Sequence, residues 1–132
     1  MAKILILGAG AMGSAFSVPS LERQHDVIIV GTHLQDAFID EIKNNNNFHP
    51  GLKLYLSEKT NIVKYMNLSD EFKKKPDLIV LGVNSKGINW VVDQLSVFFN
   101  GSILPPILML TKGLGVYENK YELLVDKLER LL

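Results

Sequence analysis

KILILGAGAMGSAF, residues 3–16, runs an apolar strand directly into a glycine-rich turn. The spacing is G-x-G-x-x-G, carried by Gly8, Gly10 and Gly13, and each position has its own reason to lack a side chain. The chain turns sharply at Gly8, a side chain at Gly10 would block a pyrophosphate, and helix and strand pack closely at Gly13. A helix beginning near Ala11 then points unpaired amides, and the positive end of its dipole, at whatever anion sits there. The same glycines also fit a purely structural turn, or another nucleotide-containing ligand such as S-adenosylmethionine. Context favours a dinucleotide: the motif follows an apolar strand, opens a helix, and precedes a second apolar strand ending near Val30.

Strand-like runs recur along the chain at 3–7, 26–30, 61–66, 77–83 and 106–111. Most are apolar without alternation, so both of their faces are buried, which predicts a parallel sheet covered by helices on each side. Helical stretches fall between them. Residues 11–24 follow the first strand, with Pro19 expected to bend or divide that helix. Residues 34–43 place Leu34, Phe38 and Ile42 on one stripe, and residues 87–98 place Ile88, Val91, Val92, Leu95 and Phe98 on another. Trp90 lies off that second stripe and reads as a half-buried surface aromatic rather than a stacking platform. The Asn-rich stretch 44–51 reads as a loop, and the charged stretch 70–75 as a solvated helix end. From Tyr117 the spacing of Tyr117, Tyr121, Leu124, Val125, Leu128 and Leu132 predicts a last helix without the usual stop signals.

A length of 132 residues suits a single core and is short for an enzyme that must also build a substrate pocket. Basic and acidic side chains cancel at 14 each, which gives no field to attract nucleic acid. There is no cysteine, which excludes disulfides and thiolate metal sites and suits a reducing compartment, the cytoplasm by default. No apolar run approaches a membrane span.

The second strand offers a further test, because a carboxylate at its end would bond the adenosine ribose. The sequence there is VGTHLQD, with Gly31, Thr32 and His33 where Asp or Glu would mark NAD, and no Arg to mark NADP. Thr32 is the better candidate for a ribose hydroxyl or a 2′-phosphate. His33 fits a phosphate contact when protonated and fits an exposed loop equally well. His25, His33 and His49 all fall in expected turns, at spacings that do not put two on one helix face, and read as polar loop residues.

Several stretches together resemble NAD(P)-dependent glycerol-3-phosphate dehydrogenase. GAGAMGSA resembles that family's opening motif, FHPGLKL (48–54) its loop and short strand after the second helix, GVNS (82–85) the segment after the fourth strand, and LTKGL (110–114) the lysine-glycine segment after the fifth. The resemblance implies a Rossmann-type α/β fold: a doubly wound, mainly parallel sheet in three α/β/α layers. It implies NAD or NADP, with Gly8, Gly10 and Gly13 holding the pyrophosphate beside Ala11 and Met12 and with Asn84 and Ser85 bordering the cofactor, to which the reading of the second strand's end adds Thr32 and His33. It also implies that Lys112, which by itself reads as a solvent-facing loop lysine, faces the substrate. Met12 departs from the family, which often has a large aromatic there, and Lys86 departs where a neutral polar residue is usual.

The implied reaction is hydride transfer between the nicotinamide and dihydroxyacetone phosphate or sn-glycerol 3-phosphate, with a homodimer expected of the full-length protein. On this expectation residues 1–132 form one N-terminal cofactor domain, inactive alone, and a C-terminal helical domain absent from this chain carries the principal catalytic lysine. The rivals are a ketopantoate or 6-phosphogluconate type dehydrogenase, against which HPGLKL and TKGL argue, and a stand-alone dinucleotide-binding redox sensor. A methyltransferase is a third possibility, against which stands the lack in this chain of an acidic residue at the end of the second strand to hold its ligand's ribose.

Overall fold

Continuous apolar strands require cover on both faces, and the computed structural model provides it. It describes residues 1–111 and 113–132. In chain order the elements are β1 (Lys3–Leu7), α1 (Ala11–Glu22), β2 (Asp26–Val30), α2 (Asp36–Asn44), the short pair β3 (Phe48–His49) and β4 (Leu54–Tyr55), β5 (Asn61–Val63), α3 (Leu68–Lys73) and β6 (Leu78–Leu81). These are followed by α4 (Ile88–Phe98), β7 (Ile107–Met109), the hairpin β8 (Leu114–Tyr117) and β9 (Lys120–Leu123), and α5 (Leu124–Leu131).

Five strands form one sheet in the order β5-β2-β1-β6-β7, every pair parallel. The chain steps outward from β1 to β2 and β5, then crosses back to β6 and β7 on the other side. The connections after β1 and β6 thus leave toward opposite edges of the sheet, and a crevice forms above the carboxyl ends of these two strands, the place where doubly wound sheets bind ligands. Alternate residues feed two cores. Leu5, Leu7, Ile79 and Leu81 pack with Phe72 of α3, Ile88, Val91 and Leu95 of α4 and Leu128 of α5. Ile4, Ile6, Val27, Ile29 and Val80 pack with Ile39 and Ile42 of α2, Leu56 and the partly buried Phe16 and Leu21 of α1. The doubly wound, three-layer α/β/α expectation is met. Among the described residues no helix is long and apolar enough to cross a membrane.

Helix α1 buries small residues, Gly13, Ser14, Ser17 and Ser20, which let it lie close on the sheet. Their hydroxyls donate to the carbonyls of Ala9, Ser14 and Phe16, so no buried serine oxygen is left unpaired. Pro19 does not divide the helix, which runs through to Glu22. Pro19 and Ala15, whose carbonyl loses its usual i+4 donor, are both exposed, so water can take the missing place.

Four other expectations change. The predicted last helix from Tyr117 is half hairpin: Tyr117 and Tyr121 lie on β8 and β9, and only Leu124–Leu131 is helical, with Leu124 and Leu128 buried. The cause is the turn Glu118–Asn119, both residues at positive φ (50° and 64°), which is the two-residue geometry that matches strand twist. Arg130 of α5 clasps this hairpin, its guanidinium 2.6 Å from Glu122 Oε1 and 3.6 Å above the Tyr117 ring. The Glu122 hydrogen bond raises the Arg130 pKa above its ordinary value. Leu34 precedes α2 rather than joining its stripe, which is Phe38, Ile39 and Ile42. The strand expected over 61–66 stops at Val63, and Tyr65–Asn67 form a 3-10 turn into α3. The charged stretch 70–75 is only partly solvated, because Glu71 is buried and holds Lys74 at 3.0 Å.

Candidate functional site

The glycine turn is a place where three backbones touch. Gly8 has φ +107°, and a Cβ there would lie 2.7 Å from the carbonyl oxygen of Gly82, just past β6. A Cβ on Gly13 would lie 2.5 Å from the Gly8 carbonyl oxygen, and one on Gly82 would lie 2.8 Å from the Gly13 Cα. No side chain fits at any of the three. Gly10 is different: among the described residues a Cβ there would meet only the Gly82 carbonyl oxygen within 4 Å, at 3.9 Å, so the space beside it is open. Two of the motif's glycines and Gly82 thus serve packing, while Gly10 leaves room for something else.

The loop is also held rigid by hydrogen bonds from distant parts of the chain. Gly8 N–H donates to the Val30 carbonyl at 2.8 Å. Gln35 Oε1 accepts from both Ala9 N–H (2.9 Å) and Thr32 N–H (3.0 Å), tying the glycine turn to the end of β2. The Ala9 carbonyl accepts from Ser14 Oγ at 3.0 Å and from His49 Nε2 at 2.9 Å. His49 Nδ1 accepts from Leu52 N–H at 3.1 Å, so Nε2 carries the proton. His49 is therefore not the polar loop residue expected from sequence but a buried strut, 1% exposed, joining the β3–β4 pair to the glycine turn.

Above the turn lies a cavity of about 530 Å³ at the carboxyl edge of the sheet. It is bounded by Gly10, Ala11 and Met12 on one side, Thr32, His33, Leu34 and Gln35 at the end of β2, and Gly82 to Asn84, Lys86, Gly87 and Trp90 beyond β6. Sequence reasoning brings six of these together: Gly10, Ala11, Met12, Thr32, His33 and Asn84. Gly8 and Gly13 lie beneath, and Ser85 is exposed at the start of a 3-10 turn without lining the cavity. Lys112 lies outside the described residues. Asn84 Oδ1 accepts from Gly87 N–H at 2.9 Å, which leaves its amide N–H groups to donate.

The electrostatics suit an anion. No side chain caps the start of α1, and its first turn holds no acidic residue, so the positive helix end is neither satisfied nor neutralised there. Gln35, Ser14, His49, Gly82 and Trp90 were not assigned to the site from sequence. Gly82 sits just past an apolar strand, a visible signal; the roles of Gln35 and His49 depend on partners far away in the chain, and no local pattern marks them.

Sheet order, glycine turn and cavity define a doubly wound domain of the Rossmann type, with its crevice shaped for a nucleotide-like anion. The chain belongs to the family described as NAD-dependent glycerol-3-phosphate dehydrogenase N-terminus, whose sequence model matches residues 3–132. It is 28% identical over 116 residues to NADP(+)-dependent glycerol-3-phosphate dehydrogenase of Archaeoglobus fulgidus, covering 88% of this chain and 33% of that protein. It is likewise 28% identical over 116 residues to glycerol-3-phosphate dehydrogenase [NAD(P)+] of Bacillus pumilus, covering 86% of this chain and 31% of the relative. The chain thus spans about a third of the length of the curated relatives it matches. In fold it is similar to the crystal structure of glycerol-3-phosphate dehydrogenase from Coxiella burnetii, with TM-score 0.66 at 19% identity over 86% of this chain and 33% of that one.

Proposed function

We propose that this chain is the cofactor-binding domain of an NAD(P)-dependent glycerol-3-phosphate dehydrogenase, with the substrate pocket supplied by a separate helical domain. One observation carries the reading: Gly10 faces open space beside the uncapped start of α1, at the point where the strand order reverses. Backbone amides at a helix start suit a pyrophosphate, and a side chain at Gly10 would fill the volume it needs. In the bound state the amides around Gly10, Ala11 and Met12 hold the pyrophosphate, Thr32 and His33 border the adenosine ribose, and the Asn84 amide donates from the opposite wall. Gln35 and His49 keep the turn in its binding shape before the ligand arrives, so little ordering cost falls on binding.

When bound, the nicotinamide would give a hydride to dihydroxyacetone phosphate in its reduced form, or take one from glycerol 3-phosphate in its oxidised form. Lys112, after the last strand of the sheet, presents a positive charge to the phosphorylated substrate. Calorimetric titration with NADH, NADPH and S-adenosylmethionine tests the binding. Saturable binding of a nicotinamide nucleotide is expected, and it should be lost in Gly10→Val while the circular dichroism spectrum is kept. Binding of S-adenosylmethionine alone, or undiminished binding by the Gly10 variant, would reject the reading.

A further inference from the structure

We infer that Trp90 is the platform on which the adenine ring of the cofactor stacks, and that His33 occupies that platform until the cofactor enters. This rests on the cofactor reading above and names a residue within it. Trp90 is the chain's one tryptophan. Its helix, α4, packs on the sheet through Ile88, Val91, Val92 and Leu95; Trp90 stands off that buried stripe. One side of the indole packs against the edge of that core, which half-buries it, while the ring also lines the cavity.

What covers it is His33, from the loop after β2. The two rings are stacked, with centroids 5.4 Å apart and planes 27° from parallel. The contact bridges the loop after β2 and the first turn of α4, and that loop carries Thr32 at the proposed ribose position. Adenine is a flat π-system joined to that ribose, and a Trp face is a strong partner for such a ring. A third ring does not fit between rings this close. Adenine must therefore displace His33, whose side chain is exposed and is not committed to the core. Leu34, 83% exposed at the rim, adds an apolar edge to the same slot. A solvated histidine resting on a tryptophan keeps an apolar binding face covered while the slot is empty and yields it at small cost.

The test uses ADP-ribose, which carries adenine and pyrophosphate but no dihydronicotinamide to absorb tryptophan emission, with nicotinamide mononucleotide as the ligand lacking adenine. With one tryptophan in the chain, any change in indole emission reports on residue 90. ADP-ribose should change that emission saturably, with the same midpoint as calorimetry, and nicotinamide mononucleotide should leave it unchanged. Trp90→Ala should weaken ADP-ribose binding about tenfold, and Trp90→Phe should recover most of the loss. Calorimetric binding of ADP-ribose with unaltered emission, or wild-type affinity in Trp90→Ala, would overturn the inference while leaving the cofactor reading intact. If the unaltered chain binds none of NADH, NADPH and ADP-ribose, the cofactor reading itself falls and takes this inference with it. The emission readout needs no variant, so it stands even if Trp90→Ala folds poorly.

Discussion

His49 and Gly10 act on the same turn in opposite ways. His49 supplies matter to it: its ring is buried and bonds at both nitrogens, to the Ala9 carbonyl and the Leu52 amide. His49→Ala leaves a cavity, takes from the Leu52 amide its acceptor and from the Ala9 carbonyl one of two donors, and should lower unfolding free energy by roughly 2–4 kcal/mol. Urea denaturation measures this, and a loss under about 0.5 kcal/mol would mean the strut is dispensable. Gly10 supplies absence, and Gly10→Val should leave the urea midpoint nearly unchanged while removing cofactor binding. The contrast explains what could be read from sequence at this scale. The glycine spacing is local, since strand, turn and helix follow one another within eleven residues, from Lys3 to Gly13. Ala9, the partner that ties His49 and Gln35 to the turn, lies 40 and 26 residues from them, and nothing in an Asn-rich stretch announces that its histidine turns inward.

At the scale of elements, periodicity was informative where packing and propensity agree. The stripe of α4 was legible because it buries one regular face, and the apolar runs of β1, β2 and β6 because both of their faces feed a core; β7, at the sheet edge, is only partly buried, with Leu108 exposed. Two elements departed because a local feature outweighed the pattern. Glu118–Asn119 adopt positive φ and fold the stretch from Leu114 to Leu123 into a hairpin, although its apolar residues also fit a helical spacing. Pro19 is tolerated within α1 because its position faces water, but tolerance is not stability. The helix still lacks one hydrogen bond, so Pro19→Ala should stabilise the chain by about 1–3 kcal/mol. A thermal melt should show the midpoint rising by several degrees; an unchanged or lower midpoint would mean that proline's restriction of the unfolded chain offsets the missing bond.

At the scale of the whole molecule, the hairpin beside the last helix carries a run of exposed apolar side chains. Cross-strand pairing puts Leu114 opposite Leu123 and Val116 opposite Tyr121 on one face. Those four residues are 58%, 54%, 70% and 80% exposed. The other face carries Tyr117 and Glu122, which are engaged by Arg130. The hairpin thus turns its polar side to α5 and its apolar side to water, the reverse of the usual arrangement for a half-buried sheet. Among the described residues both strands pair only with each other, leaving open edges. Contiguous apolar surface of this kind favours association. The chain should therefore self-associate reversibly as its concentration rises, in sedimentation velocity, with a formal net charge of zero giving no repulsion to oppose it. Replacing the facing pair as Val116→Lys with Tyr121→Glu keeps a favourable cross-strand contact and removes the apolar centre of the patch. That double variant should sediment as a monomer with unchanged nucleotide affinity, since neither residue lines the cavity. A wild-type chain that stays monomeric throughout the concentration range would show that the hairpin face is not adhesive despite its composition. Association that persists in the double variant would move the contact elsewhere, and the apolar groove between Phe72, Phe98, Ile103 and Pro105 would be the next surface to alter.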